Sequence, residues 1–195
     1  LHLSLRRQRQ MCIRDSALTE RSHPCQIMAD LQTMIERHGA LDGQIVTWVG
    51  DGNNVTTSWI EAAARFGFQL RIACPAAYAP PAELLAWARG EGADIVLYDN
   101  AEDAVAGSQT VVTDVWVSMG DDEGSRMTDF QPFKVTNSLM EKAAADAIFM
   151  HCLPAWRGME VSADVIDGPQ SAVFDEAENR LHAQKAILAW CVAGN

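Results

Sequence analysis

Several protein classes are excluded by what this chain does not contain. No apolar run approaches the roughly 18 residues that would suggest a membrane-spanning helix. No CxxC pair is present, and the five cysteines (Cys12, Cys25, Cys74, Cys152, Cys191) are scattered and odd in number. That counts against a disulfide framework or a zinc site and fits a reducing cytosol. The GxGxxG fingerprint is missing, so a nucleotide-binding oxidoreductase has little support. Positive charge is in deficit: a net charge of -11 disfavours nucleic acid as a partner, and solubility alone accounts for it. There is no internal repeat and no low-complexity tract. What remains, 195 residues at 48% hydrophobic and 21% charged, is ordinary for one large globular domain, or one domain plus a fragment.

After Pro24 the pattern is helical. Ile27, Met28, Leu31, Met34 and Ile35 recur at helical spacing and define one apolar face, and the helix should stop at Gly39. From Gln44 onward, strand-like and helical segments alternate. Strands are predicted at 44–49, 69–74, 94–98, 110–114 and 147–150, and helices at 55–66, 81–90, 101–106, 136–145 and 176–191. The strands are short and apolar, as expected when both faces of a sheet are covered. Such alternation predicts an α/β fold: a doubly wound, mostly parallel sheet with helices on both faces, Rossmann-like. Residues 115–135 break the rhythm with a polar, Gly-bearing loop of the length associated with lids. Residues 154–169 form a second irregular stretch.

The opening of the chain does not match the rest. Arg6, Arg7, Arg9 and Arg14 are opposed only by Asp15 and Glu20, and the chain starts at Leu1. An Arg-rich, acid-poor transit peptide has this character. The preferred reading is foreign sequence, of the kind translated from an adapter or vector, joined to a truncated protein near Ser22. The expected organisation is a leader over 1–21, disordered or loosely attached, then a helix over 22–40 and one α/β domain over 41–195.

Three chemically loaded loops follow predicted strands. In an open parallel sheet, ligands bind in the crevice at the carboxyl ends of the strands, so the three imply one composite site. Gly50-Asp51-Gly52-Asn53-Asn54 has glycines for a tight turn and amides that donate and accept at once; an Asn helix cap is the plainer reading. Asp114 ends a strand, where its carboxylate suits a ligand ammonium or caps the next turn, and Ser118-Met119-Gly120 comes soon after. Cys152 sits beside His151 in His151-Cys152-Leu153-Pro154. A Cys/His nucleophile is weighed there, but adjacent residues on an extended chain point to opposite sides, and a buried inert cysteine is common. Ahead of the domain, His23 and Gln26 flank a helix start with Pro24 at its first position, near the positive helix end. Late in the chain, Arg180 either pairs with Glu176 four residues back or turns inward to bind an oxyanion.

Together these segments resemble the aspartate/ornithine transcarbamylase family, and most closely its ornithine-using branch. The matching motifs are HPCQ (23–26), VGDGNNV (49–55), TDVWVSMG (113–120), HCLPAWRGMEV (151–161) and DEAENRLHAQKA (175–186), in family order over roughly residues 22–193. The resemblance implies two α/β domains: a first that holds carbamoyl phosphate through a Ser-Thr-Arg-Thr motif and helps build a homotrimer, and a second that binds the amino acid. This chain would carry the second domain and the helix leading into it; the first, with its motif, is absent. Implied by motif, His23 polarises the carbamoyl carbonyl and Gln26 contacts the same group, Arg180 assists at the carbamoyl oxygen, and Cys152 and Leu153 line the meeting point of the substrates. Asn54, Asp114, Ser118 and Met119 would hold L-ornithine, with Asp114 on the α-ammonium. The implied reaction is attack of the neutral δ-amine on carbamoyl phosphate, giving citrulline and phosphate, with no metal or organic cofactor. Cytoplasmic arginine biosynthesis or the urea cycle is the implied setting. The competing expectations are another amine acceptor, such as putrescine or an acylated ornithine, and a non-catalytic remnant that only binds ligand or partners.

Overall fold

A computed structural model describes residues 18–117 and 123–193. Five strands form one sheet: β1 (Ile45–Val49), β2 (Gln69–Ala73), β3 (Ile95–Tyr98), β4 (Thr110–Thr113) and β5 (Ile148–His151). Their order is β3-β2-β1-β4-β5 and every pairing is parallel. The chain winds outward from β1 to β3, returns to the other side of β1, and continues through β4 to β5. The direction of winding therefore reverses between β1 and β4.

The strands other than the edge strand β3 are largely buried on both faces because helices cover both. Side chains alternate across a strand, and they sort into two cores. Val46 and Trp48 of β1, Leu70 and Ile72 of β2, and Ile148 and Met150 of β5 pack under α1 (Pro24–His38), α2 (Asn54–Phe66) and α3 (Ala82–Gly90). Val49, Ala73, Val111 and Phe149 face α4 (Ala101–Val105), α6 (Asn137–Met140) and α7 (Ala163–Ile166). Trp59 and Phe68 meet edge to face, with ring centroids 5.8 Å apart, a contact worth about 0.5–1.5 kcal/mol beyond area burial. The last helix, α8 (Val173–Ala193), packs against α1 and β5. No helix among the described residues is long and apolar enough to cross a membrane.

Predicted and observed strands agree to within a residue or so at each end, and the departures elsewhere have local causes. Within 115–135 lies a helix, α5 (Glu123–Phe130). Within 154–169 lies α7. The helix expected over 136–145 ends at Met140, because the next backbone groups turn to the Gly107–Ser108 corner: Gly107 N donates to Lys142 O at 2.9 Å and Ala144 N to Ser108 O at 2.9 Å. Helix α8 starts at Val173, whose apolar side chain is buried in the second core. On α1 the buried face is rotated from the one expected. Met28 and Ile35 are 40% and 46% exposed, while Gln26, Asp30 and Thr33 are buried.

The expectation of a leader over 1–21 falls mostly on residues 1–17, outside the described residues. From Thr19 onward the chain is tied to the domain: Thr19 Oγ1 accepts from Arg21 N and Ser22 N, and Thr19 O accepts from Asn54 Nδ2 at 2.8 Å.

Gly52 is fixed by space. A Cβ there would lie 2.4 Å from Tyr78 O and 2.7 Å from Pro80 N, and its own N–H donates to Tyr78 O at 3.0 Å. Both obstacles are backbone, so Gly52→Ala should lower stability by about 1–3 kcal/mol. Gly90→Ala, with no atom within 4 Å of the added methyl, should be neutral or slightly stabilising. Denaturant midpoints of the two variants check this contrast.

Candidate active site

The carboxyl ends of β1, β4 and β5 lie side by side, and the three loops that leave them meet at Asp114. Asn53, in the loop after β1, donates from Nδ2 to Asp114 Oδ2 at 2.9 Å. Cys152, immediately after β5, donates from Sγ to Asp114 Oδ1 at 3.3 Å, and Val115 N donates to the same oxygen at 2.8 Å. An ionised carboxylate has about four acceptor positions, so three protein bonds leave room for a ligand donor. Asp114 is 9% exposed.

The two asparagines after β1 have different protein partners. Asn53 caps α2, its Oδ1 accepting from Val55 N at 2.9 Å and Thr56 N at 3.1 Å, and its amide nitrogen steadies Asp114. Asn54 turns its amide to Thr19 O. Asn53, which the motif reading did not single out, is thus the asparagine that reaches Asp114; its signal was the glycine pair that lets the loop curl back over the strand end. Ser118 and Met119 lie outside the described residues. Arg126 of α5 pairs with Asp51 and donates from Nε to Trp116 O at 2.8 Å, with its guanidinium 4.8 Å from the Tyr78 ring centroid. These contacts fix α5 against the loop after β1. No sequence pattern pointed to Arg126, because its partners are distant in the chain.

His151 and Cys152 are neighbours with separate duties. His151 Nδ1 accepts from Leu153 N at 2.9 Å, and Nε2 stands 3.4 Å from the fully buried Glu160. Glu160 Oε1 also accepts from Trp156 N, closing the 151–160 loop. Leu153 adopts φ 55°, the left-handed region that non-glycine residues seldom occupy, and the Leu153–Pro154 bond is cis. The Cys152 thiol points to Asp114, so no Cys/His dyad forms. Burial, and then the charges of Asp114 and Glu176, pushes that thiol well above its ordinary pKa. It is a protonated hydrogen-bonding group, not a thiolate nucleophile. Asp114, His151 and Cys152 bring ligand-type atoms within 4.8 Å of one another, but hydrogen bonds already engage all three.

The second half of the site comes from α1 and α8. His23 sits at the N-cap of α1, 5% exposed, and its backbone N–H donates to Ser58 Oγ at 2.7 Å. Burial, and then the positive charge of Arg180, lowers its pKa to about 4. The imidazole is therefore neutral near pH 7, and its buried Nδ1 has no protein partner. One turn along α1, Gln26 Nε2 donates to Asp30 Oδ1 and to Glu176 Oε1, each at 2.8 Å. Glu176 Oε2 accepts from His151 N at 2.8 Å, which joins α1, α8 and the end of β5. Arg180, on the same side of α8 as Glu176, bears electrostatically on His23, Asp30 and Glu176. The structure thus draws the sequence-predicted residues into two groups, Asp114 with Cys152 and Leu153, and His23 with Gln26 and Arg180, bridged by His151 and Glu176.

A doubly wound parallel sheet whose loops converge beside its switch point defines a small-molecule-binding α/β domain. Residues 42–191 match the family described as aspartate/ornithine carbamoyltransferase, Asp/Orn binding domain. The chain belongs to that family. It is 57% identical over 178 residues to an ornithine carbamoyltransferase of Rhizobium johnstonii, covering 91% of this chain and 59% of the relative. Over 177 residues it is 57% identical to one from Bradyrhizobium diazoefficiens, covering 90% and 58%. Among solved structures, the ornithine carbamoyltransferase from Pyrococcus furiosus aligns with TM-score 0.83 at 44% identity, covering 87% of this chain and 56% of that one. The anabolic enzyme from Campylobacter jejuni aligns with TM-score 0.84 at 36% identity, covering 92% and 61%. The chain spans less than two thirds of the length of these relatives.

Two measurements check the protonation states. Thiol alkylation with subsequent peptide mass mapping should modify the exposed Cys191 readily and leave Cys152 largely unreacted near pH 7 until the chain unfolds. The unfolded His23 imidazole takes up a proton below about 6.5, whereas the folded one resists to about 4. Its contribution to stability is therefore complete above 6.5 and lost as pH falls through that window. NMR titration should find the His23 ring unprotonated at pH 5, and His23→Gln should flatten the acid side of the stability profile.

Proposed function

We propose that this chain is the amino-acid half of an enzyme that transfers a carbamoyl group from carbamoyl phosphate to the δ-amine of L-ornithine, releasing citrulline and phosphate. The observation that supports it most directly is Asp114, a buried carboxylate at the strand switch point, held by Asn53 and Cys152 with acceptor capacity to spare. Such a group suits the α-ammonium of an amino acid. The neighbouring thiol, kept protonated, suits orientation of the side-chain amine without a covalent intermediate. Asn54 and the segment bearing Ser118 and Met119 complete the ornithine-holding set, with Leu153 beside Cys152 at the junction of the substrates.

On the other side, a neutral His23 donates a hydrogen bond to the carbamoyl oxygen as negative charge develops there in the tetrahedral state. Arg180 adds positive charge at the same oxygen, and Gln26 contacts the carbamoyl amide. The reaction then needs two substrates held in register more than it needs a strong acid or base, and such positioning supplies up to roughly 7–11 kcal/mol in oriented systems. No metal or organic cofactor is invoked. The phosphate anchor, a Ser-Thr-Arg-Thr element, does not occur in these 195 residues, so transfer is proposed for the full-length protein, a cytoplasmic homotrimer of arginine metabolism.

Calorimetry on this chain tests the amino-acid half. L-ornithine should bind, while Nα-acetyl-ornithine and putrescine, which lack the free α-amino acid head, should not. Asp114→Asn keeps the shape and removes the charge, and should weaken ornithine by about 1.5–3 kcal/mol. Equal affinity for ornithine and putrescine, or unchanged affinity in the variant, rules out the ammonium contact.

A further inference from the structure

Asp30 belongs to none of the motifs, yet it is 1% exposed, as is Glu176, and Gln26 between them is 0% exposed. One amide nitrogen serves both acids, at 2.8 Å each, which gathers the two buried carboxyl groups around a single donor. A carboxylate only accepts hydrogen bonds. Two carboxylates on one donor therefore compete for it unless one of them carries a proton. Two ionised carboxylates so close together, and away from water, would also repel strongly. The charged and titratable groups around the pair come from three elements: Arg180 from α8, His23 at the head of α1, and Cys152 with Asp114 from the strand ends.

We infer that Asp30 and Glu176 share one proton and, as a pair bearing a single negative charge, act as positioning residues for Gln26 and Arg180. Both amide hydrogens of Gln26 point at the acids, which aims its Oε1 the other way. That oxygen is buried and has no protein partner, so it offers an acceptor to an amide donor such as the carbamoyl NH2. One negative charge, not two, stands against the single charge of Arg180. Burial raises both acids above the ordinary carboxylate range, which favours one proton being retained by the pair. The Glu176 Oε2 bond to His151 N then carries the same arrangement to the loop that holds Cys152. The role given to Gln26 rests on the proposed function; the proton count does not.

Infrared spectroscopy of the 195-residue chain near pH 8, with and without 13C-labelled glutamate, reads the proton directly. A carbonyl band of a protonated carboxylic acid is expected, and the label separates the Glu176 contribution from that of Asp30. Asp30→Asn and Glu176→Gln each leave one carboxyl group, which ionises beside Arg180, so the band should vanish in either variant. The double variant removes both acids that face Arg180 here, and its unfolding midpoint should fall by more than the two single shifts together. Absence of the band in the unsubstituted chain overturns the inference without recourse to any variant. So does a band that survives both single substitutions. A chain that shows the band but fails to bind ornithine keeps the carboxyl pair and overturns the proposed function instead.

Discussion

The carboxylate of Asp114 is where three strand ends become one site. It takes hydrogen bonds from Asn53, Val115 and Cys152, each from a loop that the parallel order β1-β4-β5 delivers to the same edge. Remove that side chain and the Asn53 amide loses its acceptor, the thiol loses its partner and the loops lose a common reference point. The order of the strands and the position of one acid are thus a single constraint. Short apolar strands demand helices on both faces, double winding puts the switch between β1 and β4, and the switch opens the crevice in which Asp114 stands.

Burial then decides which groups are charged. It keeps His23 neutral and the Cys152 thiol protonated, and it forces two acids to compromise. Against these stands Arg180, whose charge bears on both halves of the α1–α8 contact. In water these side chains would titrate near their ordinary values. Packed together, they form a site with few full charges, in which hydrogen-bond direction is set by which group holds a proton.

Strands and loops were legible because a buried parallel strand is an unbroken apolar run that gives way to polar residues at its carboxyl end. The residues at those ends, Asp114, Cys152 and Leu153, could be read straight from the pattern. Asn53 could not be told from Asn54, since both suit a helix cap and only the curl of the loop decides which faces the carboxylate. Helix α5 was hidden because Glu123-Gly124-Ser125-Arg126 reads as a polar turn, and the Arg126 contacts that hold it reach back to Asp51 and Tyr78. Asp30 was hidden for the opposite reason. An acid in mid-helix looks like a solvated residue, and periodicity placed Met28 and Ile35 on the buried face. Only the approach of α8 reveals that α1 turns Gln26, Asp30 and Thr33 inward.

Helix α8 has 21 residues, about 30 Å at 1.5 Å per residue. Its first turns are gripped by α1, where Glu176 meets Gln26 and Asn179 donates to Thr33 Oγ1 at 3.0 Å. Its far half stands clear of the domain, with Leu188, Trp190 and Val192 at 64%, 62% and 84% exposure. The anchored end of the helix therefore carries its polar contacts and the far end its uncovered apolar side chains.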